Sequence, residues 1–168
     1  MMKTEPFTHL DAEGRARMVD VSLKPVSRRH ARAEGVIRMR RSTLAAIERQ
    51  EVDKGDVVTV ARVAAIAGAK RTAELVPLCH PLSLEAIDVQ VALEPDIPGL
   101  RLAVETSVEA RTGAEMEALC GVAAGLLAVY DMCKALDRGM EVGPLRLVSK
   151  KGGASGDWPG DAMNGEYA

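Results

Sequence analysis

The spacing of apolar and polar residues changes several times along the chain, and each change predicts an element. Residues 112–138 carry the strongest pattern, with no charge between Ala118 and Tyr130. Within that stretch Leu119, Val122, Leu126, Val129, Cys133 and Leu136 recur at helical spacing. Thr112 and Glu115 have the spacing of a capping box, and Gly139 follows as a stop, so one helix is predicted over 112–138. Its uncharged middle is roughly 20 Å long, too short and too rich in alanine and glycine for a membrane span. It reads as a core helix covered nearly all round, by its own sheet and, where one is present, a neighbouring subunit.

Elsewhere the periods are shorter. Residues 18–22 read as a short extended piece, and 33–39 as a strand with imperfect alternation. Ser42 has the chemistry of an N-cap for a short helix ending near Gln50. Lys54-Gly55-Asp56 is a turn, and Asp56 caps a helix running from Val57 to about Leu75. Two alternating runs, 86–93 and 100–109, flank a turn at 95–99 and form an antiparallel hairpin, and 145–150 is a last strand. Residues 1–17 read as a flexible N-terminal arm and 152–168 as a flexible tail, leaving a single α+β domain over 18–151.

Composition narrows the class. Aromatic residues make up only 2%, so the core is built from Val, Leu, Ala and Met. A net charge of −2 argues against broad binding to nucleic acid or anionic membranes. Cys79, Cys120 and Cys133 have no CxxC spacing and read as reduced thiols of a cytoplasmic protein. Residues 1–14 contain no apolar run of the kind a signal peptide needs.

Several positions carry candidate chemistry. Glu117 and Asp131 fall within about 40° of each other on the long helix, and Asp131 and Lys134 are i, i+3 neighbours. They form either a solvated face with one ion pair or a proton-transfer pair; the small residues Gly121, Ala124 and Ala128 on the same sector weigh against the first. Arg28, Arg29, Arg32, Arg38, Arg40 and Arg41 cluster around one strand, as edge protection or as a phosphate clamp. Lys70 and Arg71 near a helix end suit the helix dipole. Pro77 and Pro81 bracket Cys79 and His80 in an apolar loop, where the histidine is either a satisfied core residue or part of a site. An adjacent Cys-His pair is a poor source of two zinc ligands, and no metal site is predicted. The run from Lys150 to Gly156 is not a Walker loop, but a lysine-glycine arm of this kind can fold over an anionic ligand.

Taken together, Lys54-Gly55-Asp56-Val57, Ala69-Lys70-Arg71-Thr72, Leu78-Cys79-His80-Pro81-Leu82, Gly113-Ala114-Glu115-Met116-Glu117 and Tyr130-Asp131-Met132-Cys133-Lys134 form a distinctive set, with Gly143-Pro144-Leu145-Arg146-Leu147 ahead of Lys150. Over roughly residues 8 to 157 the chain resembles the cyclic pyranopterin monophosphate synthase family, molybdenum cofactor biosynthesis protein C. Ala154 departs from a lysine common in that family. The resemblance implies a ferredoxin-like α+β fold, an antiparallel sheet with helices packed on one face. It implies a homohexamer, a trimer of dimers, with the active site at a subunit interface. The implied substrate is 3′,8-cyclo-7,8-dihydro-GTP, supplied by a radical S-adenosylmethionine GTP cyclase. The implied products are cyclic pyranopterin monophosphate and pyrophosphate. Asp131 and Lys134, with Lys54, take the catalytic positions. Leu78, Cys79, His80, Met116 and Glu117 match ligand-contact positions, while Glu115 is first a cap and second a contact. Lys70, Lys150 and Arg29 would meet phosphates, Arg29 from a neighbouring subunit. No cofactor is implied, and whether Mg²⁺ accompanies the triphosphate stays open. A non-catalytic nucleotide-binding regulator is the rival reading, and a purely structural hexamer a third. Asp131 beside Lys134 favours the enzyme.

Overall fold

A computed structural model of the protein describes residue 10 and residues 13–153 and 156–160. The expected arm over 1–9 and 11–12, Ala154, and the chain end over 161–168 lie outside these. The elements run β1 (Ser27–Arg38), α1 (Arg41–Glu48), α2 (Val57–Lys70), α3 (Thr72–Leu75), β2 (Ala86–Glu94), β3 (Gly99–Ala110), α4 (Glu115–Cys133) and β4 (Glu141–Lys151). The four strands form one antiparallel sheet in the order β2-β3-β1-β4. With helices between β1 and β2 and between β3 and β4, this is the ferredoxin-like α+β arrangement.

Alternation along β1 decides which face is covered. Ala31, Ala33 and Ile37 are buried beneath the helices, while Arg32 and Glu34 point to the other face. On that open face Glu34 is held by Arg146 at 2.7 Å and Arg101 at 3.7 Å, and Arg32 pairs with Glu105. The α4 helix lies over β1 and β3 through Val122, Leu126 and Val129, all fully buried. Gly35 makes this approach possible, because a Cβ there would sit 2.9 Å from both Leu126 and Val122. By length and mean hydropathy (1.5) α4 would suffice to cross a membrane, but half of it is buried within this domain as its core helix.

The small residues of α4 serve packing. A Cβ on Gly68 of α2 would stand 2.4 Å from the Ala124 Cβ, and one on Gly125 would stand 3.1 Å from the Ala61 carbonyl. Gly121 likewise faces the Ala65 carbonyl at 3.1 Å. Residue 68 meets 124, and 61 meets 125, so the two helices run antiparallel at close range.

Several expected boundaries move. The long helix begins at Glu115 with no side-chain cap and ends at Cys133, so the Thr112–Glu115 capping box and the Gly139 stop do not form. Its start is fixed from the sheet instead: the Thr106 hydroxyl donates to the Ala114 carbonyl at 3.1 Å. Ser42 is not a cap; α1 starts one residue earlier, and the Asp137 carboxylate accepts from the Arg40 N–H (2.8 Å) and the Thr43 hydroxyl (3.4 Å). Asp56 does cap α2, accepting from the Thr59 N–H at 3.0 Å, but the helix breaks at Arg71. Residues 18–22 form no strand, and β1 and β4 are longer than their alternation suggested. Residues 156–160 are not loose: Lys150 and Trp158 exchange backbone hydrogen bonds at 2.9 Å, so this stretch returns along β4.

Candidate active site

The expected site residues fall into two groups. At one end of the helix pair, the Lys54 ammonium donates to the Asp131 carboxylate at 2.7 Å and to its carbonyl at 2.8 Å. Lys134 reaches the other carboxylate oxygen at 2.7 Å. The turn before α2 supplies Lys54, and the last turn of α4 supplies Asp131, which is why the antiparallel pairing brings them together. All three side chains are about half exposed. Hydrogen bonds from Lys134, then Lys54, hold the Asp131 carboxyl down at about 2, and the same contact pushes Lys134 up. Asp131 is thus a fixed carboxylate at neutral pH, held between the two lysines.

The second group lies at the opposite end of α4, about 21 Å from the first along the helix axis. Leu78, Cys79 and His80, Met116, Glu117 and Glu115 line a chamber of about 280 Å³ with Val19, Val21 and Lys24. Glu117 is only 4% exposed. Burial pushes its carboxyl up to about 7, with a smaller contribution from the Glu115 charge. That corrects the simple picture of an ionised acceptor: near neutral pH this group is held about half protonated and can donate as well as accept. Burial, then the Glu117 charge, also raises the Cys79 thiol, which makes it a wall rather than a nucleophile.

A second chamber, of about 510 Å³, adjoins the first and shares Lys24, Thr112, Gly113 and Glu115 with it. Arg29, Arg111 and Lys150 bring further positive charge, against one carboxylate, Glu115. Glu115 faces Lys150 at 3.3 Å rather than capping its helix. Arg29 is braced by the Ala110 and Arg111 carbonyls, at 3.4 and 3.2 Å. Gly153 lies against its guanidinium so closely that a Cβ would stand 2.0 Å from a guanidinium nitrogen.

Only Arg29 of the six arginines around β1 lines this chamber. The strand is internal, between β3 and β4, so the edge-protection reading of the cluster does not hold. Arg40 instead pairs with Asp137, and Arg41 donates to the Pro95 carbonyl. Lys70, the exposed last residue of α2, lines neither chamber. Sequence reasoning missed Lys24, Arg111, Val19 and Val21. The only signal for the first two was a cation next to a turn or strand end.

These features define a ferredoxin-like α+β domain with a two-chambered cleft, one chamber holding a buried carboxyl and an imidazole, the other strongly cationic. The MoaC family model matches residues 18–153, and the chain belongs to the MoaC family. Its role is in molybdenum cofactor biosynthesis, as an enzyme of that route.

Proposed function

We propose that this protein is the cyclic pyranopterin monophosphate synthase of that route, a phosphorus–oxygen lyase acting on 3′,8-cyclo-7,8-dihydro-GTP. The observation that carries the reading is the adjoining pair of chambers. A guanine-derived ring suits a pocket with His80 and Glu117, and a triphosphate suits Arg29, Lys150 and their cationic neighbours. The substrate comes from a radical S-adenosylmethionine GTP cyclase in the same cytoplasm. In the closing step a sugar hydroxyl oxygen bonds to the α-phosphorus. The bridging oxygen to the β-phosphorus leaves with the bonding electron pair as pyrophosphate, and the hydroxyl proton is released. No cofactor of the protein enters the scheme, and Mg²⁺ is an optional companion of the triphosphate.

The ring rearrangement needs protons delivered and removed. Lys54 and Lys134, both hydrogen-bonded to Asp131, supply them, and Asp131 orients both ammonium groups. Within one chain this group stands far from the chambers, so it serves the cleft of a neighbouring subunit in a homohexamer, a trimer of dimers. Val63 and Leu127, about 60% exposed on the outer face of the helix pair, offer the apolar surface such an assembly would cover. Lys70 belongs to the same surface and meets substrate only across it.

The test is a pyrophosphate-release assay with the cyclised intermediate, using plain GTP as control. The reading expects release from the intermediate alone, with a pterin product after oxidation. Tight binding without release would replace it with a nucleotide-binding regulator.

A further inference from the structure

The cationic chamber borders a piece of chain that the catalytic scheme leaves aside. β4 is an edge strand, and residues 156–160 run back along its free edge. Lys150 and Trp158 exchange both backbone hydrogen bonds at 2.9 Å. A Cβ on Gly160 would collide with the Val148 carbonyl, so the two segments stay close two residues further on. The turn of this return is tied down. The Asp157 carboxylate accepts from the Gly152 N–H at 2.9 Å, and the Gly156 N–H donates to the Gly153 carbonyl at 3.1 Å.

The return reaches two of the cations that line the chamber. Lys150 and Trp158 stand opposite each other in an antiparallel pair, so their side chains leave the same face of the sheet, with Cβ atoms about 5 Å apart. The half-buried indole therefore flanks the stem of Lys150, whose ammonium faces the chamber and Glu115. On the other side Gly153 lies against the Arg29 guanidinium and Gly152 against the Arg28 carbonyl, and a Cβ at either would collide. Both glycines sit at φ +87°, and the bonds to Asp157 and Gly156 hold that backbone in place. Covering an exposed edge needs backbone pairing alone. It does not account for a glycine turn pressed onto an arginine.

We infer that Asp157 and Trp158 are positioning residues of the anion site, through which the return holds Arg29 from one side and Lys150 from the other so that both meet one chain of phosphates. Neither residue lines the chamber. Asp157 acts on the Arg29 guanidinium through Gly152 and Gly153, and Trp158 acts on Lys150 through its backbone pair and its ring. This rests on the reading of the chamber as the seat of a triphosphate. Charge and anchoring give Asp157 opposite signs. By charge alone, losing an acid beside an anion site would tighten anion binding. As the anchor of the turn, its loss loosens it.

The probe is inorganic tripolyphosphate, titrated calorimetrically into the full chain and its variants at low salt. Asp157→Ala should loosen it about fivefold, whereas Asp157→Asn, which gives up the charge but keeps an acceptor for the Gly152 N–H, should bind at least as tightly as the wild type. Trp158→Pro, which has no N–H to give the Lys150 carbonyl, should loosen it about tenfold. Trp158 is the only tryptophan in the chain, so its emission in the wild type should change in step with binding. The proposal is overturned if Asp157→Ala or Trp158→Pro binds tripolyphosphate as tightly as the wild type, if Asp157→Asn loses as much as Asp157→Ala, if binding leaves the Trp158 emission unmoved, or if the wild type binds none. A lowered melting temperature with unchanged affinity would reduce the return to edge cover and overturn it equally. Failure of the synthase reading looks different: tripolyphosphate binds in an Asp157-dependent way, yet the wild type releases no pyrophosphate from the cyclised intermediate.

Discussion

Replacing Glu117 by glutamine tests the buried carboxyl directly. Glutamine keeps the shape and an acceptor oxygen but cannot ionise. In the folded protein the carboxyl is raised from its ordinary 4.5 to about 7, chiefly by burial, and the side chain is almost wholly covered. The folded state therefore holds a proton that the unfolded chain has released between those pH values. Stability contributed through this group is fully present below about pH 4.5 and declines as pH rises toward 7, because ionising a buried carboxylate opposes folding. The rise corresponds to about 3 kcal/mol, an upper figure for an empty pocket. Urea denaturation of wild type and Glu117→Gln at one protein concentration, from pH 5 to 8, reads the effect. The variant should gain on the wild type steadily with pH, by up to about 3 kcal/mol at pH 8. Parallel curves would refute the reasoning. A bound ligand with N–H donors facing the carboxylate should narrow the gap, since it stabilises the ionised form.

Lys134→Ala and Asp131→Asn should each lower pyrophosphate release by at least about a hundredfold while leaving the melting temperature nearly unchanged, because the cluster is exposed; near-normal turnover in both would remove the acid–base assignment. Gly68→Ala should destabilise the fold by about 1–3 kcal/mol in thermal unfolding despite the better helix propensity of alanine, since the new Cβ meets Ala124 at 2.4 Å and the Cys120 carbonyl at 2.9 Å. Gly153→Ala, at φ +87°, should push the Arg29 guanidinium aside and raise the KM for the triphosphate substrate about tenfold with kcat less affected; an unchanged KM would take Arg29 out of the phosphate chamber.

Much of the fold was legible because burial follows period. The β2–β3 hairpin, the long apolar helix and the Asp56 cap all follow from local pattern. The misplaced helix starts share one cause. Thr106, eight residues back on β3, fixes the start of α4, and Asp137 holds the start of α1 from 94 or more residues away, so the partner that decides each boundary lies outside the helix's own first turn. Local chemistry at Thr112, Glu115 and Ser42 was correct in kind but outcompeted: Glu115 turned to Lys150. The arginine cluster was unreadable for a related reason, because strand order, not alternation, puts β1 inside the sheet. The expected site residues came from motif resemblance, whereas the placing of Lys24 and Arg111 beside the chambers became visible only once the turn and the end of β3 were brought side by side. That Glu117 and Asp131 share a helix sector said nothing of the length of helix between them.

The close contact of α2 with α4 has a genetic consequence. Backbone nearly touches backbone at Gly68, Gly121 and Gly125, so the helix pair is a stiff spacer that keeps its two charged ends apart in every chain. If each working centre draws one end from each of two chains, a lesion at either end silences a pure assembly. Mixing subunits defective at Lys134 with subunits defective at His80 would rebuild a centre with both ends intact wherever the two kinds meet. Two inactive alleles would then complement each other in one cell, whereas two alleles damaged at the same end would not.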